Sequence, residues 1–154
     1  MKAECQCGQL TVELPGPTSA VVACHCTACQ RRSGSPFGVL AYYSANQLTI
    51  VGEATRYERA TDEGNRFETF FCPSCGSTVY ARAGKHPTMI GVAVGAIANP
   101  DFHAPVRSVW EQSMHKWVSM PATERDRLVN LSLDDSIAQR WGTVIQSLLP
   151  PGSQ

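Results

Sequence analysis

Apolar and polar positions alternate in short bursts along most of the chain, and each burst stops at turn-forming residues. Leu10-Thr11-Val12-Glu13-Leu14 alternates strictly and ends at Pro15-Gly16-Pro17, the period-two pattern of a half-buried strand. Ala20 to Ala23, Phe37 to Tyr43 and Gln47 to Val51 read as further strands, the last two separated by Ser44-Ala45-Asn46. Thr55 to Arg59 and Arg66 to Phe71 are aromatic and β-branched runs split by Thr61-Asp62-Glu63-Gly64-Asn65, a cluster of turn formers. Thr78 to Ala81, Met89 to Val94 and Val106 to Glu111 complete the set. Many short strands with frequent turns predict a mainly β fold, a sandwich or a barrel. The period changes near the end, where Ile137, Trp141, Val144, Ile145 and Leu148 recur at helical spacing between Leu133-Asp134-Asp135 and Pro150-Pro151. The expected organisation is one domain over residues 1–120 and an extension over 121–154 that contains a helix. No internal repeat or low-complexity segment is visible.

Composition narrows the function classes. A chain of 154 residues with 43% hydrophobic positions can bury a core as one domain. Its formal net charge of +0 carries neither the signature of disorder nor the basic footprint of a nucleic-acid binder. The longest apolar runs, such as Met89 to Val94, are far too short to span a bilayer. Met1 to Cys5 contains no signal-peptide core. The expectation is a cytoplasmic protein with neither nucleic acid nor membrane as partner. In a reducing compartment, clustered cysteines point to metal binding or catalysis before disulfides.

Seven cysteines stand at positions 5, 7, 24, 26, 29, 72 and 75. Spacing alone would join the two C-x-x-C units, Cys26/Cys29 and Cys72/Cys75, and strand the other three. The flanking residues favour a different partition. Cys7 is followed by Gly8 and Cys75 by Gly76, whereas Cys29 is followed by Gln30-Arg31-Arg32. A zinc knuckle turns sharply after its second cysteine, and glycine takes the positive φ of that turn without strain. Cys5, Cys7, Cys72 and Cys75 therefore read as one closed structural zinc site. Cys24, Cys26 and Cys29 remain as a three-ligand group. By spacing alone it is open between a zinc with a free position, which is the mark of a catalytic site, a Cys24–Cys26 redox pair, a site closed by His25 or a distant histidine, and inert buried thiols. His25 lies between two ligands, so its side chain is expected to point away from a shared metal. His86, His103 and His115 are scattered and read as surface or hydrogen-bonded side chains. No Ser/His/Asp triad, P-loop or dinucleotide fingerprint is present.

The order Cys5-Gln6-Cys7-Gly8, then Cys24 through Gly34, then Phe71 through Gly76 resembles the glutathione-dependent formaldehyde-activating enzyme family, also called the centromere protein V/GFA domain family. Gly95-Ala96-Ile97 and Pro105 through Val118 are similar to the end of that domain, so the resemblance covers about residues 3–120. It implies a twisted β-sandwich built around a zinc-ribbon-like structural site, with two zincs per chain. One would be structural, on Cys5, Cys7, Cys72 and Cys75. The other would be functional, on Cys24, Cys26 and Cys29. The implied activity is carbon–sulfur lyase chemistry, making or breaking S-hydroxymethylglutathione from glutathione and formaldehyde. Two features depart from the family pattern. Ser108 stands where a histidine often opens the late strand, and Ala122 to Leu149 extends beyond the usual core.

Three thiolates on Zn²⁺ leave a formal charge of −1. Such a set suits a soft ligand, a substrate thiol, better than it suits the generation of hydroxide. The expected partner is a small-molecule thiol such as glutathione. Its carboxylates call for basic residues. Arg31 and Arg32 directly follow the motif; Arg31 is the preferred candidate and Arg32 reads equally well as a solvated surface arginine, while Ser33, Gly34 and Ser35 offer backbone N–H donors. Phe37 and Tyr42 are candidate pocket residues. The competing function classes are a zinc-dependent interaction module without chemistry and a thiol redox sensor or metal store.

Overall fold

The structure, a computed structural model, describes residues 1–126; the expected helix between 133 and 149 lies outside the described residues. The alternation at Leu10 to Leu14 folds as its pattern dictates. Leu10, Val12 and Leu14 are buried and Glu13 is exposed, with Thr11–Glu13 forming strand β2. It pairs antiparallel with β1 (Lys2–Glu4) on one side and β5 (Thr49–Val51) on the other, which completes a three-stranded sheet. A second sheet contains β3 (Val21–Cys24), β4 (Gly38–Ser44), β6 (Thr55–Ala60), β7 (Arg66–Phe71), β8 (Thr78–Ala83), β9 (Met89–Ala93), β10 (Arg107–Val109) and β11 (Glu124–Asp126). Its order is β11-β10-β3-β4-β9-β8-β7-β6. Pairing is antiparallel except at β10, which runs parallel to both β3 and β11.

One core joins the sheets. Ala3 and Val12 from the small sheet pack in the same cluster as Val21, Ala41, Tyr43, Val79, Ile90 and Val92 from the large one. The two layers therefore stack as a sandwich, and the chain is mainly β as its pattern predicts. The central strand β9 is buried at Met89, Ile90, Gly91 and Val92 in succession, and a strand covered on both faces reads as a continuous apolar run. Burying each large aliphatic side chain stabilises the sandwich by about 1.5–3 kcal/mol. At the other extreme, β6 is an exposed edge dressed with charge. Arg56 pairs with Glu58 and Glu68, and Arg66 pairs with Glu58. Exposed pairs add little stability, but charged edges resist pairing with other strands.

Three elements appear that the pattern does not announce. Strand β1 is only Lys2-Ala3-Glu4 with Ala3 buried, too short to show a period. Strand β11 is Glu-Arg-Asp, entirely polar, and is added by its pairing with β10. Helix α1 (Thr27–Ser33) buries only Cys29, so it has no apolar stripe. A further short helix, α2 (Val94–Ile97), takes Val94 out of the predicted strand and turns Ile97 into the core. Among the described residues no helix is long and apolar enough to cross a membrane.

Gly52 fixes the small sheet against the first cysteine turn. Its φ is 97°, and a Cβ there would collide with the Gln9 carbonyl oxygen. The close approach lets the Gln9 amide pair with the backbone of Glu53: Nε2 donates to the carbonyl at 2.8 Å and Oε1 accepts from the N–H at 3.1 Å. Gly52→Ala is expected to cost about 2–4 kcal/mol, combining the left-handed penalty with overpacking, and to lower the thermal midpoint by roughly 5–15 °C. Gly64→Ala also places a side chain at positive φ (77°), but in open space, and should cost only about 1–2 kcal/mol. Melting curves of the two variants decide this; equal losses would remove the packing argument.

Candidate metal centres

Two hairpin tips bring the first four cysteines together. The β1–β2 connection carries Cys5 and Cys7, and the β7–β8 connection carries Cys72 and Cys75. In each, the glycine after the second cysteine donates its N–H to the carbonyl of the first, Gly8 to Cys5 and Gly76 to Cys72, both at 2.9 Å. Their φ values are 79° and 72°, the left-handed turn the sequence called for. The β7–β8 register slips between Phe70 and Phe71, so a bulge re-aims the strand end just before Cys72. The sulfurs of Cys5 and Cys7 lie 3.5 Å apart and those of Cys7 and Cys72 3.6 Å. All four lie within 4.8 Å of one another. Four sulfurs at about 2.3 Å from a tetrahedral zinc would stand about 3.8 Å apart, whereas a disulfide requires about 2.0 Å. The spacing fits a four-thiolate metal site, and all seven cysteines are free.

Surrounding donors are already aimed at these sulfurs. Gln9 Nε2 donates to Cys72 Sγ at 2.9 Å, the Leu10 N–H to Cys5 Sγ at 3.2 Å, and Ser77 Oγ lies 3.3 Å from Cys75 Sγ. The Ser77 hydroxyl and N–H pull the Cys75 thiol down to about 5. Burial pushes Cys72 up but is outweighed by the Gln9 amide and the N–H groups of Cys75 and Ser74, which hold it low. The Gln9 N–H lowers Cys7, yet sharing with the sulfurs of Cys5 and Cys72 pushes it up to about 12. Without a cation the set retains protons; a dication would displace them.

The second group forms where β3 hands over to α1. Cys24 ends β3, Cys26 caps the helix, and Cys29 lies in its first turn. Cys26 Sγ accepts the Cys29 N–H at 3.4 Å. The three sulfurs lie within 4.8 Å of one another, and among the described residues no fourth His, Cys, Asp or Glu atom joins them. The thiols of Cys24 and Cys29 donate toward Cys26 and push it down to about 2. Sharing with Cys26 and Cys29, with burial behind it, pushes Cys24 far up. Cys29 is lowered by Cys24, but the Cys26 sulfur and burial outweigh that and raise it. A dication would convert the set to three thiolates. Cys24, Cys26 and Cys29 could hold a zinc while leaving a position for an exogenous ligand.

His25 turns away from the sulfurs, as its place between two ligands predicts. It is fully buried, with Nε2 3.1 Å from Ser108 Oγ. Ser108 is therefore the partner of the motif's own histidine. Gln30 ties the loop down further. Its Nε2 donates to the carbonyls of His25 (2.7 Å) and Ser113 (3.0 Å), and its Oε1 lies 3.0 Å from His115 Nε2.

A cavity of about 290 Å³ borders Cys24, Cys26 and Cys29. Four strands separate β3 from β6 in the sheet, about 24 Å if it were flat. Yet Arg59 and Arg66, from the β6–β7 hairpin, line this same cavity. Strong coiling of the sheet brings the hairpin back over the motif. Lys85 and His86, from the β8–β9 turn, also line it, together with Tyr42 and Trp110. Trp110 is held at φ 60°, a left-handed conformation that costs a bulky residue about 1–2 kcal/mol.

The residues expected to bind substrate do not form this wall. Arg31 is exposed. The Ser33 hydroxyl donates to the Cys29 carbonyl at 2.9 Å, and Gly34 caps the helix at φ 65° with its N–H on Gln30 O. None of the three lines the cavity, whereas Arg32 does. The reason is helical phase: positions 26, 29 and 32 recur at three-residue spacing on one face, and position 31 lies off it. Phe37 packs against His25, ring centroids 5.5 Å apart, while Tyr42 does reach the cavity.

A family profile described as "Glutathione-dependent formaldehyde-activating enzyme" matches residues 1–113, a span that holds both cysteine groups. The chain belongs to that family. The resemblance carried by the C-x-C-G, C-H-C-x-x-C and F-C-x-x-C-G motifs is thereby borne out. Within the glutathione-dependent formaldehyde-activating enzyme family, the chain is 29% identical over 82 residues to a Sordaria macrospora protein named "Putative glutathione-dependent formaldehyde-activating enzyme". The match covers 47% of this chain and 34% of that relative, so it spans about a third of the relative's length. The crystal structure of a Rhodobacter sphaeroides protein is similar at 26% identity with a TM-score of 0.52, over 65% of this chain and 92% of that one.

Two predictions test the division of labour between the cysteine groups. Cys7→Ser or Cys72→Ser should unfold or strongly destabilise the protein, because a structural metal contributes its binding energy to folding. Cys26→Ser should lower the thermal midpoint much less, and equal losses at Cys7 and Cys26 would refute the division. Zinc-loaded protein should hold up to two ions by elemental analysis. Mild chelation should strip the three-cysteine group first, because only three protein sulfurs hold that ion; equal resistance of both would count against an open position.

Proposed function

We propose that the chain is a zinc-dependent carbon–sulfur lyase acting on a thiol adduct of formaldehyde, such as S-hydroxymethylglutathione, formed from or split into glutathione and formaldehyde. The observation that supports it is the contrast between four sulfurs closed on themselves and three beside a cavity, in a family described by this activity. The setting is cytoplasmic, where thiols stay reduced. Zinc on Cys24, Cys26 and Cys29 would offer one position to a substrate sulfur and favour its thiolate form near neutral pH.

The chain's own residues supply the rest. Cys24 is fixed by its pairing with Gly38 of β4 and Val109 of β10, and Cys26 and Cys29 by the first turn of α1. The ligand set is thus rigid before substrate arrives. Three thiolates make that set anionic and soft, which disfavours hydroxide chemistry and suits a sulfur ligand. The cavity confines sulfur and carbonyl carbon together, replacing a bimolecular encounter with a local one. Burial pushes the Tyr42 phenol up and keeps it protonated. The reaction balances without a further reagent. The C–S bond forms as the C=O π bond breaks, and the thiol proton ends on the new hydroxyl; cleavage reverses each change.

Calorimetric titration tests the reading. Glutathione should bind zinc-loaded protein with release of a proton. Its affinity should therefore rise about tenfold per pH unit up to the free thiol value of about 8.5 and level off above it. Cys26→Ser should abolish binding while leaving the fold intact. If zinc-loaded protein binds neither glutathione nor mercaptoethanol at millimolar concentration, the lyase reading gives way to a zinc-dependent interaction module.

A further inference from the structure

The cavity beside the three-cysteine group is unevenly charged. Arg32, Arg59, Arg66 and Lys85 line it against Asp62 and Glu63, four cations to two carboxylates on a chain of formal net charge +0. Two of the cations are engaged, Arg66 with Glu58 at 3.2 Å and Lys85 with Glu63 at 3.3 Å. Among the described residues Arg32 and Arg59 have no carboxylate partner. Arg32 Nε is buried and makes no hydrogen bond to a described residue. The Arg32 guanidinium packs over Gly38, next to Cys29, in space that any side chain at position 38 would take. The Arg59 guanidinium sits 5.1 Å from the centre of the Phe67 ring and donates once, to the Ala60 carbonyl at 3.1 Å. Both arginines line the same cavity as Cys26 and Cys29. A partly buried guanidinium with unused donors is a matched receptor for a carboxylate. Here there are two, from separate elements, beside the same sulfurs.

From this geometry we propose that Arg32 and Arg59 are specificity-determining residues that form a two-point clamp, selecting thiols that carry carboxylates over neutral or cationic thiols. The inference rests on the thiol-binding reading above and adds the class of thiol.

Calorimetry on the zinc-loaded full chain tests it with glutathione (two carboxylates), 3-mercaptopropionate (one), mercaptoethanol (none) and cysteamine (cationic). Glutathione diethyl ester serves as a control of the same size with the carboxylates masked. Affinity should fall as carboxylates are lost, and the ester, which keeps the α-ammonium group, should bind no better than mercaptoethanol. Arg59→Ala should reduce the glutathione-to-mercaptoethanol affinity ratio by roughly tenfold or more, the range of one charge-assisted hydrogen bond. Arg59→Lys should restore part of it, and raising the salt concentration should compress the wild-type ratio. Arg32→Ala should act in the same direction; should its packing over Gly38 prove necessary for folding, the Arg59 variants carry the test alone. If thiols bind but the ratio ignores both charge and Arg59, the clamp falls and the thiol-binding reading stands. If no thiol binds at all, both fall.

Discussion

Four sulfur atoms decide how the two sheets of this protein meet. Cys5 and Cys7 belong to a hairpin tip of the small sheet, Cys72 and Cys75 to a tip of the large one, and the gap across them is 3.6 Å between Cys7 and Cys72. As thiolates they would repel, so the junction is favourable only with protons or a cation between them. The link closes a loop of 65 residues between Cys7 and Cys72. A metal held by both tips would close that loop, and closing a loop of that length by a cross-link is worth about 4 kcal/mol on a chain-entropy view. The whole second cysteine group lies inside that loop, as do Arg32 and Arg59. The four-cysteine group thus sets the frame in which the three-cysteine group is held.

The two cysteine groups differ in how their sulfurs are presented. In the first, hairpin tips, a bulge and the donors of Gln9, Leu10 and Ser77 surround a closed set. In the second, a strand end and a helix start present three sulfurs along one rim of a cavity, and the inward His25–Ser108 contact and the Gln30 side chain hold that rim from behind. The groups that fix the geometry lie on the protein side, and the open side faces the cationic wall.

Much of this was legible in the sequence, and for physical reasons. Strands such as β2 and β9 bury one face or both, so their apolar pattern records their place. The cysteine partition was legible because Gly8 and Gly76 are needed at positive φ, and because His25 cannot share a metal with both of its neighbours. Helix α1 was not legible. Its seven residues bury only Cys29, and without it the phase that puts Arg32 and not Arg31 on the cavity is invisible. Arg59, Arg66 and Lys85 reach the motif only through the coiling of the sheet, a property of the assembled fold rather than of any local run. Strand β11 carries no apolar residue and exists through its partner.

The coiled sheet has a consequence for how such a site can change. The metal-holding half is written in one short stretch, Cys24 to Cys29, locked between β3, β4 and β10. Two of the four cations on the wall, Arg59 and Arg66, come from the β6–β7 hairpin at the sheet's far edge, whose outer strand β6 is almost wholly exposed. Part of the cavity's charge is therefore encoded apart from the cysteines, while Arg32 stays within the helix that carries Cys29. Substitutions at the exposed positions of β6 and of the 61–65 turn leave the sulfur ligands and the core in place, whereas β7 packs Phe70 against the core and runs directly into Cys72, so room for change is confined to the outer strand and the hairpin tip.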